Sequence, residues 1–467
     1  MRRSQLVDAC RPGRYVTIVA LVTLSLLVAV AAFNAAVDPF GMNMLIQSER
    51  FNAHKPAIYT RVRLSKAYEV MRVRPQTLIL GTSRSHIGFS CDHEAWAKLE
   101  GPCYNLAFDG ATSREIFAYL LHAYAERPLK HVLLGLEPYH LAPSVSTTSP
   151  DFDPLVLRDP EGNALPRWLS GDVRLLISLD TLKASVRTLE AQDTREPIWF
   201  GPDGQRLGEV FFRQIDGNFG RLGPRGYFDM TDQREVGYQT EWMVAARRKH
   251  AVLRADPSPD PNETSLSYVR RIVEFCRIHH IDLRIVITPA HAHQMEIMAA
   301  SIDWSELERK KRDLVHIVDE ENVRRPELRP TPIVDFSGYS SITEEPPPPL
   351  GTGTELQYYW DSSHFKRIVG DYVLDRVYGV SSPARQVPPD FGVRLTAATI
   401  EPYLLEQRAR QAAYRRRFPD DIANLRRLVA RALSDDHEDR SSGSMPYAEP
   451  SALRREAPAV DLNVRQD

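Results

Sequence analysis

Five short apolar runs, at 77–81, 103–107, 131–136, 283–288 and 332–336, punctuate this chain, with amphipathic stretches between them. Runs this short suit strands buried on both faces better than they suit helices. The intervening stretches repeat their apolar residues at helical spacing: 112–126 (Ile116, Tyr119, Leu120, Ala123), 264–280 and 303–319, with a closing helix at about 365–378 (Ile368, Val369, Tyr372, Val373, Val377). The alternation predicts an α/β fold built on a doubly wound, mainly parallel five-stranded sheet. Ligands of such sheets sit beyond the carboxyl ends of the strands. Ser83, Gly110, Glu137 and the segment Thr288-Pro289-Ala290-His291 all fall at or just past those ends.

The amino terminus constrains the compartment. From Tyr15 to Phe33 the chain carries no charge, close to the roughly 20 residues needed to cross a bilayer. Arg2, Arg3, Arg11 and Arg14 precede the run against one acid, Asp8. The positive-inside rule therefore predicts a single-pass anchor in the inner (cell) membrane, with a cytoplasmic N-terminus and an extracytoplasmic, periplasmic body. A cleaved signal peptide is the alternative, with Ala31-Ala32-Phe33-Asn34-Ala35-Ala36 the nearest cleavage-like sequence. Cys10 precedes the apolar run, which argues against a lipoprotein site.

With 467 residues, 43% of them hydrophobic, and a net charge of −2, the chain can build one large core. The near-neutral balance argues against nucleic-acid binding, which calls for a strong basic excess. Five segments are predicted: a cytoplasmic terminus at 1–14, the anchor at 15–37, the α/β domain at 38–383, a basic helical extension at 384–433 and a disordered tail at 434–467. Within the domain, 141–260 interrupts the alternation and is too long for an ordinary loop. It reads as a lid over the strand ends, with helices near 171–191 and 235–253. Pro346–Pro349 marks an extended loop. Residues 399–433 carry eight arginines, suited either to a solvated surface helix or to a face lying on anionic lipid or polymer.

Chemistry concentrates in two distant segments, Gly81-Thr82-Ser83-Arg84 and Asp361-Ser362-Ser363-His364. A serine hydroxyl must be deprotonated to attack a carbonyl, and an imidazole needs a carboxylate to orient it. Ser83 is the candidate nucleophile, His364 the base and Asp361 its orienting partner. The arrangement expected is Asp361 in a loop and His364 at the start of a helix. Each segment also has a plainer reading, the first as a turn after a strand and the second as a helix start with Asp361 as N-cap. Arg84 is a candidate for binding an anionic sugar or phosphate, or for pairing with a carboxylate. His291 and His293 could line the same crevice or sit in a loop. Trp360, beside Tyr359, is the candidate for stacking on a sugar ring or for packing beneath a loop. No C-x-x-C or H-E-x-x-H pattern suggests a metal, and nothing suggests a cofactor.

These segments resemble the SGNH (GDSL-like) hydrolase superfamily, whose sheet is flavodoxin-like. The likeness is greatest to its membrane-anchored periplasmic branch, with the alginate O-acetylation and teichoic-acid D-alanyl-transfer proteins. Gly81-Thr82-Ser83-Arg84 stands where that family has Gly-Asp-Ser. Tyr104-Asn105-Leu106-Ala107-Phe108-Asp109-Gly110 is similar to its second block, and Asp361-x-x-His364 to its last. The third block, normally Gly-x-Asn-Asp, reads Leu133-Leu134-Gly135-Leu136-Glu137-Pro138-Tyr139, with Glu137 at the asparagine position. The resemblance covers roughly 75–140 and 265–380. It implies acyl transfer or ester hydrolysis, with the Ser83 and Gly110 N–H groups as oxyanion donors and Asn105 and Glu137 at the substrate. It also implies an envelope polysaccharide substrate and a membrane-bound O-acyltransferase partner. A catalytically impaired scaffold or polysaccharide-binding protein on the same fold is the alternative.

Cys91 and Cys103 lie twelve residues apart. In an oxidising compartment they form a disulfide; otherwise they are two buried thiols.

Overall fold

The computed structural model describes residues 12–142, 146–158, 172–193, 197–253, 263–302 and 304–441. Most of the expected cytoplasmic terminus, including Cys10, and residues 442–467 of the expected tail lie outside the described residues.

The fold is α/β. Helix α1 (Pro12–Val37) is long and apolar enough to cross a membrane. It is followed by α2 (Val62–Val73), β1 (Thr77–Leu80), α3 (Ser83–Gly88), β2 (Cys103–Asn105), α4 (Ser113–Glu126) and β3 (His131–Leu136). The insertion contributes α5 (Val173–Leu176), α6 (Leu179–Glu190) and α7 (Gly217–Leu253). Helix α7 is broken at Gly223, whose φ of +67° precedes Pro224. The chain continues through α8 (Ser265–Ile278), β4 (Asp282–Ile287), α9 (Ala292–Ser301), α10 (Trp304–Arg324), β5 (Ile333–Asp335) and α11 (Arg367–Tyr378). It closes with β6 (Val393–Leu395), α12 (Ile400–Arg417) and α13 (Pro419–Ser441).

The sheet order is β2-β1-β3-β4-β5-β6. All pairs are parallel except β5 with β6, which is antiparallel with Ile333 opposite Leu395. The sheet is therefore mixed and six-stranded rather than five-stranded. The extra edge strand, Val393-Arg394-Leu395, is too short to show a period and acquires strand character only from pairing with β5.

Alternate side chains of the strands feed two cores, as pleating requires. Leu78, Leu80, Val132, Leu134, Leu283 and Ile285 pack with Ile116, Leu120, Val269, Ile272 and Leu314. Ile79, Leu133, Val286 and Val334 pack on the other face with Phe89, Phe365, Val369 and Val373. Helices thus cover both faces.

The second layer places α3, which begins at Ser83, against α11 at backbone contact. A Cβ on Gly88 would lie 1.8 Å from the Phe365 ring, and one on Gly370 would lie 1.8 Å from the Gly88 carbonyl oxygen. Only glycines allow this approach. A disulfide joins Cys91 to Cys103, with Cα atoms 5.6 Å apart, and ties the chain after α3 to β2.

The arginine-rich extension is not freely solvated. Tyr403, Leu404, Tyr414, Ile422, Leu425 and Val429 are buried. Four of the eight arginines at 399–433 pair with carboxylates: Arg408 with Glu308, Arg410 with Asp390, Arg415 with Glu296 and Arg417 with Glu344. Beyond Ser434, where a tail is expected, α13 runs on to Ser441.

Two stability outcomes are expected. Gly370→Ala must push α3 and α11 apart and should cost about 1–3 kcal/mol, read as a lower Tm of the full chain; an unchanged Tm contradicts the close contact. Replacing Cys91 and Cys103 by serine should cost about 3 kcal/mol through the freed loop, read as a lower urea midpoint.

Candidate functional site

Ser83 reaches its position through a constrained turn. Gly81, at φ +147°, follows β1, and a Cβ there would lie 2.3 Å from Ser85 Oγ and 2.9 Å from the Gly135 carbonyl oxygen. Thr82 is extended, and Ser83 is the first residue of α3, half-buried at the strand end.

The other half of the site is a narrow loop. Tyr359 and Phe365 form an antiparallel bridge, with Trp360 N donating to the His364 carbonyl at 2.8 Å and Lys366 N to that of Tyr358 at 2.8 Å. At the tip, Asp361 Oδ1 accepts from the backbone N–H of Ser363 at 2.7 Å and of His364 at 2.6 Å. His364 consequently precedes the helix rather than starting it, since extended pairing persists through Phe365 and α11 begins at Arg367.

The two halves meet. His364 Nε2 lies 3.0 Å from Ser83 Oγ, and His364 Nδ1 lies 2.9 Å from Asp361 Oδ2. Asp361 is buried, whereas His364 keeps 22% of its side chain exposed, so the dyad is held from behind and open in front. Burial disfavours the imidazolium, but the Asp361 charge and hydrogen bond outweigh it and raise the His364 pKa above its usual value. Burial likewise works against the Asp361 carboxylate, yet His364 and the two backbone N–H groups hold its pKa down.

Of the expected substrate residues, Gly110 lies in a left-handed turn (φ +60°) with open space where a Cβ would point. Among the described residues, neither the Ser83 nor the Gly110 N–H has a hydrogen-bond acceptor. Asn105 is fully buried. Its amide donates to the carbonyls of Ser85 (3.0 Å) and Phe89 (2.8 Å) and accepts from Ala107 N (3.0 Å), so it braces the nucleophile helix.

Glu137 also faces inward, accepting from the Thr82 hydroxyl and pairing with Arg84 Nε at 3.5 Å. As a carboxylate it cannot donate to an oxyanion. Arg84, 2% exposed, also reaches Gln294 Oε1 and, at 3.4 Å, Ser363 Oγ. It clamps the acid–base loop to α3 and β3 instead of reaching solvent. Half-buried Glu235, from α7, joins this cluster, where burial raises its pKa despite Arg84.

His291 is buried, with Nε2 2.6 Å from the Glu345 carbonyl and Nδ1 accepting from His293 N at 3.2 Å; burial lowers its pKa to about 3. His293 Nδ1 is 2.8 Å from Asp232 Oδ2. Trp360 is 5% exposed and stacks on Phe212, with ring centroids 5.0 Å apart. His291 and Trp360 are packing residues in this structure, because neighbouring rings and carbonyls already cover them, whereas His293 pairs with Asp232 and borders a separate cavity with Arg225, Asp229 and Asp421. Among the described residues no group of three His, Cys, Asp or Glu could hold a metal ion.

Part of the insertion borders the site. Asp203 O accepts from Asn105 N at 2.7 Å, Arg206 N donates to the His86 carbonyl at 2.9 Å, and Gln205 Nε2 donates to that of Ile87 at 2.7 Å. The Phe212 ring lies 5.9 Å from that of His364. Arg206 pairs with Asp109 at 2.5 Å, and Asp109 acts electrostatically on His364. Arg206 carries no signal in the sequence, since an isolated arginine in an irregular stretch has no period or motif, and the short apolar run Val210–Phe212 does not by itself say what its rings face.

Comparison with protein-family models, curated proteins and solved structures finds no match.

The raised His364 pKa has a directional consequence. Its contribution to stability is full below the ordinary value of about 6.5 and is lost as pH rises through the higher folded value. Neutral imidazole, the form that can accept a proton, appears over that same interval. The His364 ring resonance should therefore titrate above the ordinary midpoint, and Asp361→Asn should bring the midpoint down. A wild-type midpoint at or below the ordinary value contradicts the assignment.

Proposed function

We propose that this protein is a membrane-anchored, extracytoplasmic serine acyltransferase or esterase of the SGNH type. In this reading it acts on O-acyl groups, most simply O-acetyl, of an envelope polysaccharide. The observation that carries the reading is the hydrogen-bonded series Ser83 Oγ–His364 Nε2–Asp361, at 3.0 and 2.9 Å. Its position at the carboxyl end of β1 suits a ligand of a doubly wound sheet.

In this mechanism Ser83 Oγ attacks the acyl carbonyl and its proton passes to His364 Nε2. Asp361 holds the Nδ1–H tautomer and stabilises the imidazolium. The oxyanion is received by the N–H groups of Ser83 and Gly110. His364 then protonates the departing alcohol, leaving an acyl group on Ser83. A polymer hydroxyl or water, deprotonated by His364, attacks the acyl-serine and restores the enzyme. Transfer and hydrolysis differ only in that acceptor. The anchor α1 would keep the site beside the inner membrane, with its N-terminus cytoplasmic and the body periplasmic. A membrane-bound O-acyltransferase delivering acyl groups is the partner that the resemblance implies.

One observation favours a second reading, an impaired scaffold or polysaccharide-binding protein. Glu137, at the position of the family's asparagine donor, has its carboxylate committed to Thr82 and Arg84.

A fluorophosphonate probe and an activated acetyl ester separate the two. The wild type should be labelled and turn the ester over, and Ser83→Ala should abolish both. Asp361→Asn should lower turnover by about four orders of magnitude. Labelling that persists in Ser83→Ala sinks the nucleophile assignment. A wild type inert with and without its membrane partner favours the scaffold.

A further inference from the structure

The part of the insertion that does not border the active site exposes apolar residues. Along α6 the fully buried residues are polar, Thr181, Ser185 and Thr188, and the exposed ones are Leu179 and Val186 together with the charged Asp180, Lys183, Arg187 and Glu190, Leu179 with 72% of its surface exposed; Leu182 and Leu189 continue the apolar stripe half-buried. A helix on a water-facing surface turns such a stripe to the core. Val173 and Ile177, on and just after α5, are exposed as well. Lone exposed apolar residues are ordinary, but these lie together on two adjoining helices beside the apolar α1.

The contact with α1 sets their level. The helix is bare over its uncharged run and becomes covered near its end, where Asn34 and Val37 are buried. Asn34 Nδ2 donates to the Leu176 carbonyl at 2.7 Å, and Ser185 Oγ donates to Asn34 Oδ1 at 2.8 Å. Asn34 follows directly on the uncharged run that ends at Phe33. Helices α5 and α6 therefore meet α1 where hydrocarbon gives way to headgroups.

The junction is stiff. Lys55 Nζ donates to the carbonyls of Val37 (3.1 Å) and Asp38 (2.6 Å), and the Asp38 carboxylate accepts from the N–H groups of Met42 and Met44 at 2.6 and 2.8 Å. The body is thus fixed to the end of α1 rather than tethered by a loose linker. Lys183 and Arg187, exposed on α6, have no carboxylate partner among the described residues. Cations on long stems beside exposed apolar residues suit a surface of lipid phosphates.

We infer that α5 and α6 form an interfacial membrane-docking surface, their apolar residues immersed in the leaflet where α1 ends. This rests on the reading of α1 as a membrane anchor. The depth involved is that of an amphipathic helix lying in the interface, about 5–10 Å into the headgroup–acyl boundary. Together with α1 it gives the body two points of membrane contact, which fixes its orientation as well as its distance from the bilayer. The ligand is the phospholipid surface, met by the apolar residues, with Lys183 and Arg187 beside them able to reach lipid phosphates and Asp180 and Glu190 leaving the helix without a net positive charge.

Nitroxide labels on the full chain in phosphatidylcholine–phosphatidylglycerol vesicles test this. In a Cys10→Ser background, Leu179→Cys and Val186→Cys are compared with Leu24→Cys within α1 and Val323→Cys, exposed on α10. All four positions are exposed, so the labels need displace no core. Oxygen accessibility relative to a water-soluble nickel chelate should be several-fold higher at 179 and 186 than at 323, and highest at 24. If 179 and 186 match 323 while 24 reads as bilayer interior, the anchor stands and the docking surface is refuted; the face is then left to a protein partner. If 24 itself reads as water, the anchor reading fails and the inference falls with it.

Discussion

Everything at the candidate site depends on the approach of α3 to α11. Ser83 and His364 are separated by 281 residues, and a 3.0 Å hydrogen bond between them demands that the elements carrying them meet almost backbone to backbone. Gly88 and Gly370 permit that meeting, because a Cβ on either would overlap Phe365 or the Gly88 carbonyl. Arg84, linking α3 to Ser363 and Glu137, ties the two halves together, while the disulfide fixes the chain after α3 to β2 within the first half. Such positioning lowers the entropic cost of bringing the candidate nucleophile and base together.

The same economy explains why several polar residues near the site do not face substrate. Asn105, Glu137 and Arg84 are buried, and each must find partners there. They find them in the nucleophile helix and the acid–base loop, so they support the reactive groups from behind. The insertion divides its work in a comparable way. Its Asp203–Phe212 stretch is stitched to α3 and β2 and reaches His364, while α5 and α6 pack on the end of α1. It therefore joins α1 and the candidate site, where the sequence suggested a single lid.

The parallel strands were legible because full burial on both faces writes continuous apolar runs, and α4, α8, α10 and α11 because one buried stripe repeats at helical spacing. Strand β6 was not, because three residues hold no period. The packing of α12 and α13 onto the domain was not legible because their arginines dominate the composition, although Tyr403, Leu404 and Tyr414 mark a buried face. Ser83, Asp361 and His364 were visible as a chemical set, whereas the inward roles of Arg84, Trp360 and His291 were not. A polar or aromatic side chain reads the same in sequence whether it faces a crevice or its own core.

By itself the sequence determined the α/β class, the apolar N-terminal helix and the candidate nucleophile, base and carboxylate, since each follows from local pattern or residue chemistry. Tertiary structure alone decided that Ser83 meets His364, that Glu137 turns toward Arg84, and that Leu179 and Val186 of α6 are left exposed. Those outcomes depend on which surfaces pack together across hundreds of residues, and packing is settled by volume and partner satisfaction in three dimensions rather than by order along the chain.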